Sequence, residues 1–233
     1  MEWRDVGIVL GVRRQGEGSG VLEAMTQAHG RHFGLVRGAR SLKGGATHQP
    51  GNVLSLVWRA RLDEHLGAYQ AEALDMRAGR LIDDWKSLAG LNVICALLRL
   101  APERDPHPHW FRRALETLDA LETERAAAAL AAFELLSLGE CGFPLDLARC
   151  AATGSTENLI YVSPRSGRAV SAEAGEPWRD RLLRLPRFLV DADATPSEGD
   201  VADAFALTGF FLGRDVFSPR GLAMPEGRKA FTG

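Results

Sequence analysis

The sequence predicts a mixed α+β chain, strands first and helices after, on three observations. Five short β-compatible runs fall within roughly the first 75 residues, separated by Gly, Pro and His-Gly turn signals. From Gly79 the apolar period changes from two to about 3.6 residues. Between Pro144 and Pro186 the chain turns Gly-, Ser- and Thr-rich and loses its apolar period, so a small hairpin is expected as an insertion in the helical part.

Taken in order, residues 5–13 are rich in Val, Ile and Leu and run into Gln15-Gly-Glu-Gly-Ser-Gly20, a hairpin connection. Residues 21–28 and 31–37 flank the turn His29-Gly30, which makes three strands in a meander. The clearest strand follows Pro50-Gly51. There Leu54, Leu56, Trp58, Ala60 and Leu62 share one face, while Ser55, Arg59 and Arg61 share the other. Ala68 to Leu74 is the fifth run. Five short strands are the tally of an OB-type barrel, whose face and loops hold oligonucleotides, and an SH3-like barrel fits the count nearly as well.

Leu81, Ile82, Trp85 and Leu88, then Leu91, Ile94, Cys95 and Leu98, fall on helical faces. Arg104-Asp-Pro-His-Pro-His109 is a break. Phe111, Leu115, Leu118 and Leu121 mark one helix, and Ala126 to Leu138 an Ala-rich one ended by Gly139. Ser197, as N-cap with Asp200 at N3, opens a last helix reaching to about Arg214. The layout expected is a barrel over 1–77, a helical domain over 78–145, a hairpin segment over 146–188, and a C-terminal helix over 189–233 that packs back on the helical domain.

Charge gives the first functional pointer. Residues 1–62 hold nine Lys/Arg against four Asp/Glu, whereas the whole chain is at −2, so the remainder carries −7. The natural partner for the basic half is a polyanion. Its cations are Arg13, Arg14, Arg31, Arg37, Arg40 and Lys43 near the hairpin ends, with Arg59 and Arg61 on a strand face. Arg37, Arg40 and Lys43 belong to a Gly-punctuated loop suited to phosphates. Guanidinium groups bind phosphate through paired donors and release counterions, giving salt-sensitive, sequence-independent affinity. Trp3, Phe33, Trp58 and Tyr69 are the candidate stacking platforms, Trp58 being better placed for the core, so backbone contact is expected to dominate over stacking. Arg165, Arg168, Arg179, Arg181 and Arg184 would extend the basic track.

Composition, at 45% hydrophobic and 25% charged, is that of a globular protein, and no apolar stretch reaches the roughly 18 residues of a membrane helix. The N-terminus lacks a signal-peptide pattern, and Cys95, Cys141 and Cys150 are an odd, irregularly spaced set. A cytoplasmic, nucleoid-associated protein without membrane contact is expected. Enzyme signals are weak: Gly16-Glu-Gly-Ser-Gly20 lacks the Lys-Ser/Thr and helix of a P-loop. His107 and His109 sit in the Pro-interrupted break without a completing acid or thiol. Asp63-Glu64-His65 reads as a turn and Asp83-Asp84 as a helix start, so no catalytic constellation, no cofactor and no enzyme are expected.

The segment after Cys150 has the outline of a zinc ribbon, two knuckles joined by a strand pair around Leu159–Val162. The four ligand positions would be Cys150, Thr153, Ser171 and Ala174, and tetrahedral zinc needs four N or S donors, so a degenerate, metal-free ribbon is expected.

The order and spacing of several motifs resemble the RecO family of bacterial recombination mediators over essentially the whole length. They are the Glu17-Gly-Ser-Gly-Val21 hairpin, Gly34-Leu-Val-Arg-Gly-Ala-Arg-Ser41, Pro50-Gly-Asn52 before the strand ending Trp58-Arg-Ala-Arg-Leu62, Leu135-Leu-Ser-Leu-Gly139 before Gly142-Phe-Pro-Leu145, the Cys150-x-x-x-Gly154 knuckle, Tyr161-Val-Ser-Pro164 and Ser166-Gly167. The resemblance implies an N-terminal OB-fold, a helical domain and a zinc ribbon that keeps or loses its metal. It also implies ATP-independent binding and annealing of single- and double-stranded DNA, contact with RecR and with the acidic C-terminal tail of single-stranded DNA-binding protein, and indirect service to RecA loading. An acidic, apolar-ended tail wants an apolar groove with cationic rims, for which Arg99, Arg104, Arg112, Arg113 and Arg125 are candidates. The different-class alternative is an adaptor that binds protein only, or another OB-fold nucleic-acid binder without annealing.

Overall fold

The computed structural model describes every residue except Glu17, Arg40, Ala192 and Gly233, and the side chains of all the rest but Leu42 and Lys43. It forms two compact units, residues 1–122 and 123–233.

The first unit begins with β1 (Glu2–Gln15), β2 (Ser19–Thr26), β3 (Gly30–Arg37), a short α1 (Leu42–Thr47), β4 (Val53–Arg59) and β5 (Ala68–Asp75). The strands close into a barrel in the order β1-β2-β3-β5-β4. Closure depends on the length of β1: residues 2–8 pair with β4, residues 7–15 with β2, and a bulge between Val9 and Gly11 lets one strand serve both. A parallel pairing of Leu35 with Ala68 joins β3 to β5. Alternation fills the interior, as in β4, where Leu54, Leu56 and Trp58 are buried together with Val9, Leu22, Ala24, Val36 and Tyr69. The Trp58 indole donates to the Leu66 carbonyl at 3.0 Å, which satisfies its one polar atom.

Three helices complete this unit: α2 (Ala78–Leu81), α3 (Trp85–Leu98) and α4 (Pro108–Ala120). Asp84 caps α3 and Pro108 opens α4, so the break expected over 104–109 runs instead from 99 to 107, with Pro108 and His109 already in the helix. The helix start differs from the expected apolar face. Leu81 is buried, but Ile82 and Trp85 are 63% and 69% exposed, since Ile82 caps the end of α2 and Trp85 begins α3 at a break in the helical period, while Leu91, Ile94, Cys95 and Leu98 face inward as expected. Asn52 fastens α1 and α2 to β4, donating to the Ala46 and Thr47 carbonyls at 2.8 and 3.0 Å and accepting from the Ala78 amide at 2.9 Å. The α3 end is tied to the barrel by Arg99, whose guanidinium meets Glu23 at 3.0 Å and the Leu10 carbonyl. The stretch 78–145, read from the sequence as one helical domain, is thus divided: α2–α4 fold with the barrel.

The second unit contains α5 (Ala126–Glu140), β6 (Leu159–Val162), β7 (Ala169–Ser171), α6 (Ala172–Gly175), β8 (Leu183–Arg184), α7 (Glu198–Phe211), a π-helical continuation over Leu212–Phe217, and α8 (Lys229–Thr232). The strands form a small sheet in the order β7-β6-β8. Ser197 and Asp200 make the reciprocal capping box that opens α7, which packs on α5. Wholly buried Glu134 of α5 accepts from Arg228 Nε at 2.6 Å and from Thr208 Oγ1 at 2.5 Å, while Arg228 also donates to the Phe205 carbonyl at 2.6 Å. This clamp fixes the segment after α7, and Phe231 stacks on Phe205 beside it.

Candidate nucleic-acid interface

The period of two sends alternate residues of β3 outward. His32, Gly34 and Val36 are buried, whereas Arg31, Phe33, Leu35 and Arg37 lie on the outer face. Register then sets the rows across the meander: Arg13 lies opposite Val21, which lies opposite Leu35, and Gln15 opposite Ser19, which lies opposite Arg37. Arg14 pairs with Gly20 one step away. Arg13, Arg14 and Arg37 therefore lie at one end of the barrel, Arg13 and Arg37 on outward rows and Arg14 on the row of Gly20 and Val36, all exposed, and none makes an ion pair among the described residues. The Gly38 amide donates to the Gly18 carbonyl at 2.8 Å, drawing the loop after β3 against the β1–β2 turn at this rim. Gly38 has φ +68°, a turn conformation open to glycine, and Ser41 closes the loop by donating to its carbonyl. Arg40 and the Lys43 side chain lie outside the described residues.

Phe33 sits one row further in, with the guanidinium of Arg13 6.0 Å and that of Arg31 5.4 Å from its ring centroid. The ring is half-buried, with the two guanidinium groups at cation-π range. The other expected platforms are otherwise employed. Trp58 and Tyr69 are core residues, with the Tyr69 hydroxyl 3.2 Å from His32 Nδ1, and Trp3 stacks on His29 at 4.0 Å. Burial holds His32 neutral, its pKa lowered to about 4. His29 in turn bonds Asp5 at 3.0 Å.

Three of the expected cations do not join the rim. Arg31 is held by Glu23 at 2.9 Å and by the Ala101 carbonyl at 2.8 Å. Arg59 pairs with Glu2 at 2.7 Å where β1 begins and β4 ends, the opposite end of the barrel, and exposed Arg61 follows it. Glu23 also takes Arg99, a feature that sequence reasoning missed because its two cations are 8 and 76 residues away.

In the second unit the four knuckle positions do approach one another. Cys150 Sγ accepts from the Ser171 amide at 3.3 Å and from Ser171 Oγ at 3.4 Å, and Ala174 packs on the cluster of Cys150, Tyr161 and Val170. Desolvation pushes the Cys150 thiol up, but bonds from Ser171 and Thr153 outweigh it and bring the pKa down to about 6. Among the described residues no group of three or more His, Cys, Asp or Glu could hold a metal. A groove of about 1230 Å³ opens nearby, with Leu135, Leu145, Leu159 and Leu185 in its lining, Arg184 and the Asp191-paired Arg187 as its cations, and Asp200 and Asp203 as its acids. Of the arginines proposed as rims for a peptide groove, Arg99, Arg104 and Arg113 are engaged, with Glu23, the Asp63 and His65 carbonyls, and Glu116 respectively.

Comparison with known proteins matches residues 1–77 to a family model described as recombination protein O N terminal, and residues 82–221 to one described as recombination protein O C terminal. The chain belongs to the RecO family. Among curated relatives, the DNA repair protein RecO of Methylocella silvestris is 55% identical over 233 residues, covering 99% of this chain and 94% of the relative. The DNA repair protein RecO of Mesorhizobium japonicum is 54% identical over 233 residues, covering 99% and 92%. That of Rhodopseudomonas palustris is 53% identical over 236 residues, covering 99% and 94%. The two RecO models meet at residues 77–82, where strands give way to helices, whereas the compact units divide at 122/123. The RecO motif Gly34–Ser41 supplies the third strand's end and the loop of the arginine rim, and Pro50-Gly-Asn52 supplies the Asn52 fastening. No helix among the described residues is long and apolar enough to cross a membrane.

Proposed function

We propose that this chain acts in DNA repair and recombination as a non-enzymatic mediator, holding DNA at the arginine rim of its barrel. The barrel reads as an OB-fold, since its strand order 1-2-3-5-4 with a parallel β3–β5 closure is that of a five-stranded Greek-key barrel. The observation that carries the reading is the gathering of Arg13, Arg14 and Arg37, free of acidic partners among the described residues, at a barrel end where Gly38 is drawn against the β1–β2 turn. Such a surface takes phosphates of any sequence, which is what bringing two complementary strands together without ATP requires. The rim with Phe33 is the first-ranked contact; Arg31, Arg59 and Arg61 contribute to the field rather than to the same patch.

In the same reading the 146–188 segment is a metal-free descendant of a zinc ribbon, its Cys150 thiol satisfied by Ser171 rather than by a metal. RecR is a protein partner, RecA is served indirectly, and the leucine-lined groove, with Arg184 as its cation free of ion pairs among the described residues, takes the acidic, apolar-ended tail of single-stranded DNA-binding protein. The test is annealing of complementary strands, bare and coated with single-stranded DNA-binding protein, in the absence of ATP. Acceleration of both, lost when Arg13, Arg14 and Arg37 are replaced by Ala, is expected. Acceleration that survives the replacement would move the DNA site elsewhere, and none at all would favour a protein-only adaptor.

A further inference from the structure

We propose a second contact for single-stranded nucleic acid, in the second unit: an unpaired base stacks on the indole of Trp178 while Arg181 serves the neighbouring phosphate. It rests on the DNA-binding reading above. Trp178 belongs to the 3-10 turn Glu176–Arg181 that follows α6, and Pro177 stiffens the turn beneath it. The indole is 56% exposed, and its ring contact is the guanidinium of Arg181, 5.8 Å from the centroid. The segment carrying it is anchored below. Gly175 approaches the Tyr161 ring so closely that a Cβ would stand 2.5 Å from it, and Arg184 lies over the same ring at 4.9 Å. An exposed, rigidly mounted ring next to a guanidinium loses little entropy on binding and accepts any base, because every base has a π-face.

Electrostatics separates this indole from the other exposed one. Trp85 is 69% exposed but follows Asp83 and Asp84. The cations that precede it in the chain are already spent, Arg77 on Asp75 and Asp119 and Arg80 on Asp75 and Glu122. Beside Trp178 the acids Glu176 and Asp180 are taken up by Arg179, at 3.2 and 3.7 Å, whereas Arg181, over the indole, and Arg184, over Tyr161, make no ion pair among the described residues.

The experiment is anisotropy of labelled oligo-dT and of a labelled duplex, titrated with the full chain over a range of salt. Trp178→Ala is expected to weaken oligo-dT binding about tenfold without changing the salt slope or the duplex affinity, because stacking is uncharged and needs an unpaired base. Trp178→Phe should keep most of the affinity. Arg181→Ala should lower the slope by about 0.7, and Trp85→Ala should change nothing. Oligo-dT affinity untouched by Trp178→Ala, or an equal loss on the duplex, overturns the proposed contact and leaves the barrel reading standing. That reading fails separately, if replacing Arg13, Arg14 and Arg37 leaves the slope intact; an unaltered chain that binds no oligo-dT removes both.

Discussion

Arg228→Ala tests how the second unit is held together. The substitution takes the cation from Glu134, which is wholly buried and accepts two guanidinium bonds at 2.6 and 3.0 Å besides the Thr208 hydroxyl. An uncompensated buried carboxylate costs about 3–5 kcal/mol. The carboxyl can avoid that cost by keeping its proton, and burial already pushes its pKa up against the opposing pull of Arg228 and Thr208. A carboxyl whose folded pKa lies above its unfolded value, about 4.3, contributes stability fully present below that value and lost as pH rises through the folded one. Removing Arg228 pushes the folded value further up, so the loss should be small near pH 4–5 and reach about 3–5 kcal/mol toward pH 8. For a unit of this size that is a fall of roughly 12 °C or more in Tm at the higher pH. Thermal unfolding of the two proteins across this range reads it directly. Adding Glu134→Leu should recover most of the stability, since an apolar replacement removes the stranded charge. A loss below about 1 kcal/mol that is equal at both ends of the pH range would refute the clamp.

Other outcomes follow from the same geometry. Purified protein should contain no stoichiometric zinc, and a chelator should leave Tm unchanged, because Thr153, Ser171 and Ala174 stand where ligands would be needed; one zinc per chain by elemental analysis would contradict this. Asn52→Ala should cost about 1–3 kcal/mol by stranding the Ala46, Thr47 and Ala78 backbone groups, and should open the 38–47 loop to limited proteolysis. A fragment of residues 1–122 should fold and keep salt-sensitive DNA binding, while residues 1–77 should melt lower, having lost the Arg99 bonds to Glu23 and Leu10 and the Ala101 acceptor of Arg31. Equal melting temperatures would show that α3 and α4 add nothing to the barrel.

Local pattern carried most of the strands. Alternation alone places Leu54, Leu56 and Trp58 inside, and the Gly-rich turn at 15–20 and His29-Gly30 mark the two hairpin connections of the meander. What escaped was mostly non-local. Ile82 and Trp85 match a helical period but face solvent, because the helix breaks between them: Ile82 caps the end of α2 and Trp85 begins α3, so the period does not run through. Arg31 and Arg59 look like binding cations until their partners appear, Glu23 across a strand pair and Glu2 at the far end of β1. The rim of Arg13, Arg14 and Arg37 was legible as a cluster, since hairpin ends bring such residues together. That these three and not the others are free of acids needed the register.

The most direct test of the account is the slope of log affinity for single-stranded DNA against log salt, measured for the unaltered chain and for one with Arg13, Arg14 and Arg37 all replaced by Ala. Each phosphate contact on a single strand contributes about 0.7 to that slope, so losing three free guanidinium groups should flatten it by about 2 and weaken binding most at low salt. Replacing Arg31 and Arg59 instead should leave the slope nearly unchanged, since both are spent on carboxylates. A triple variant with the slope of the unaltered chain, or a larger effect from Arg31 and Arg59, would contradict the assignment of DNA to the barrel rim.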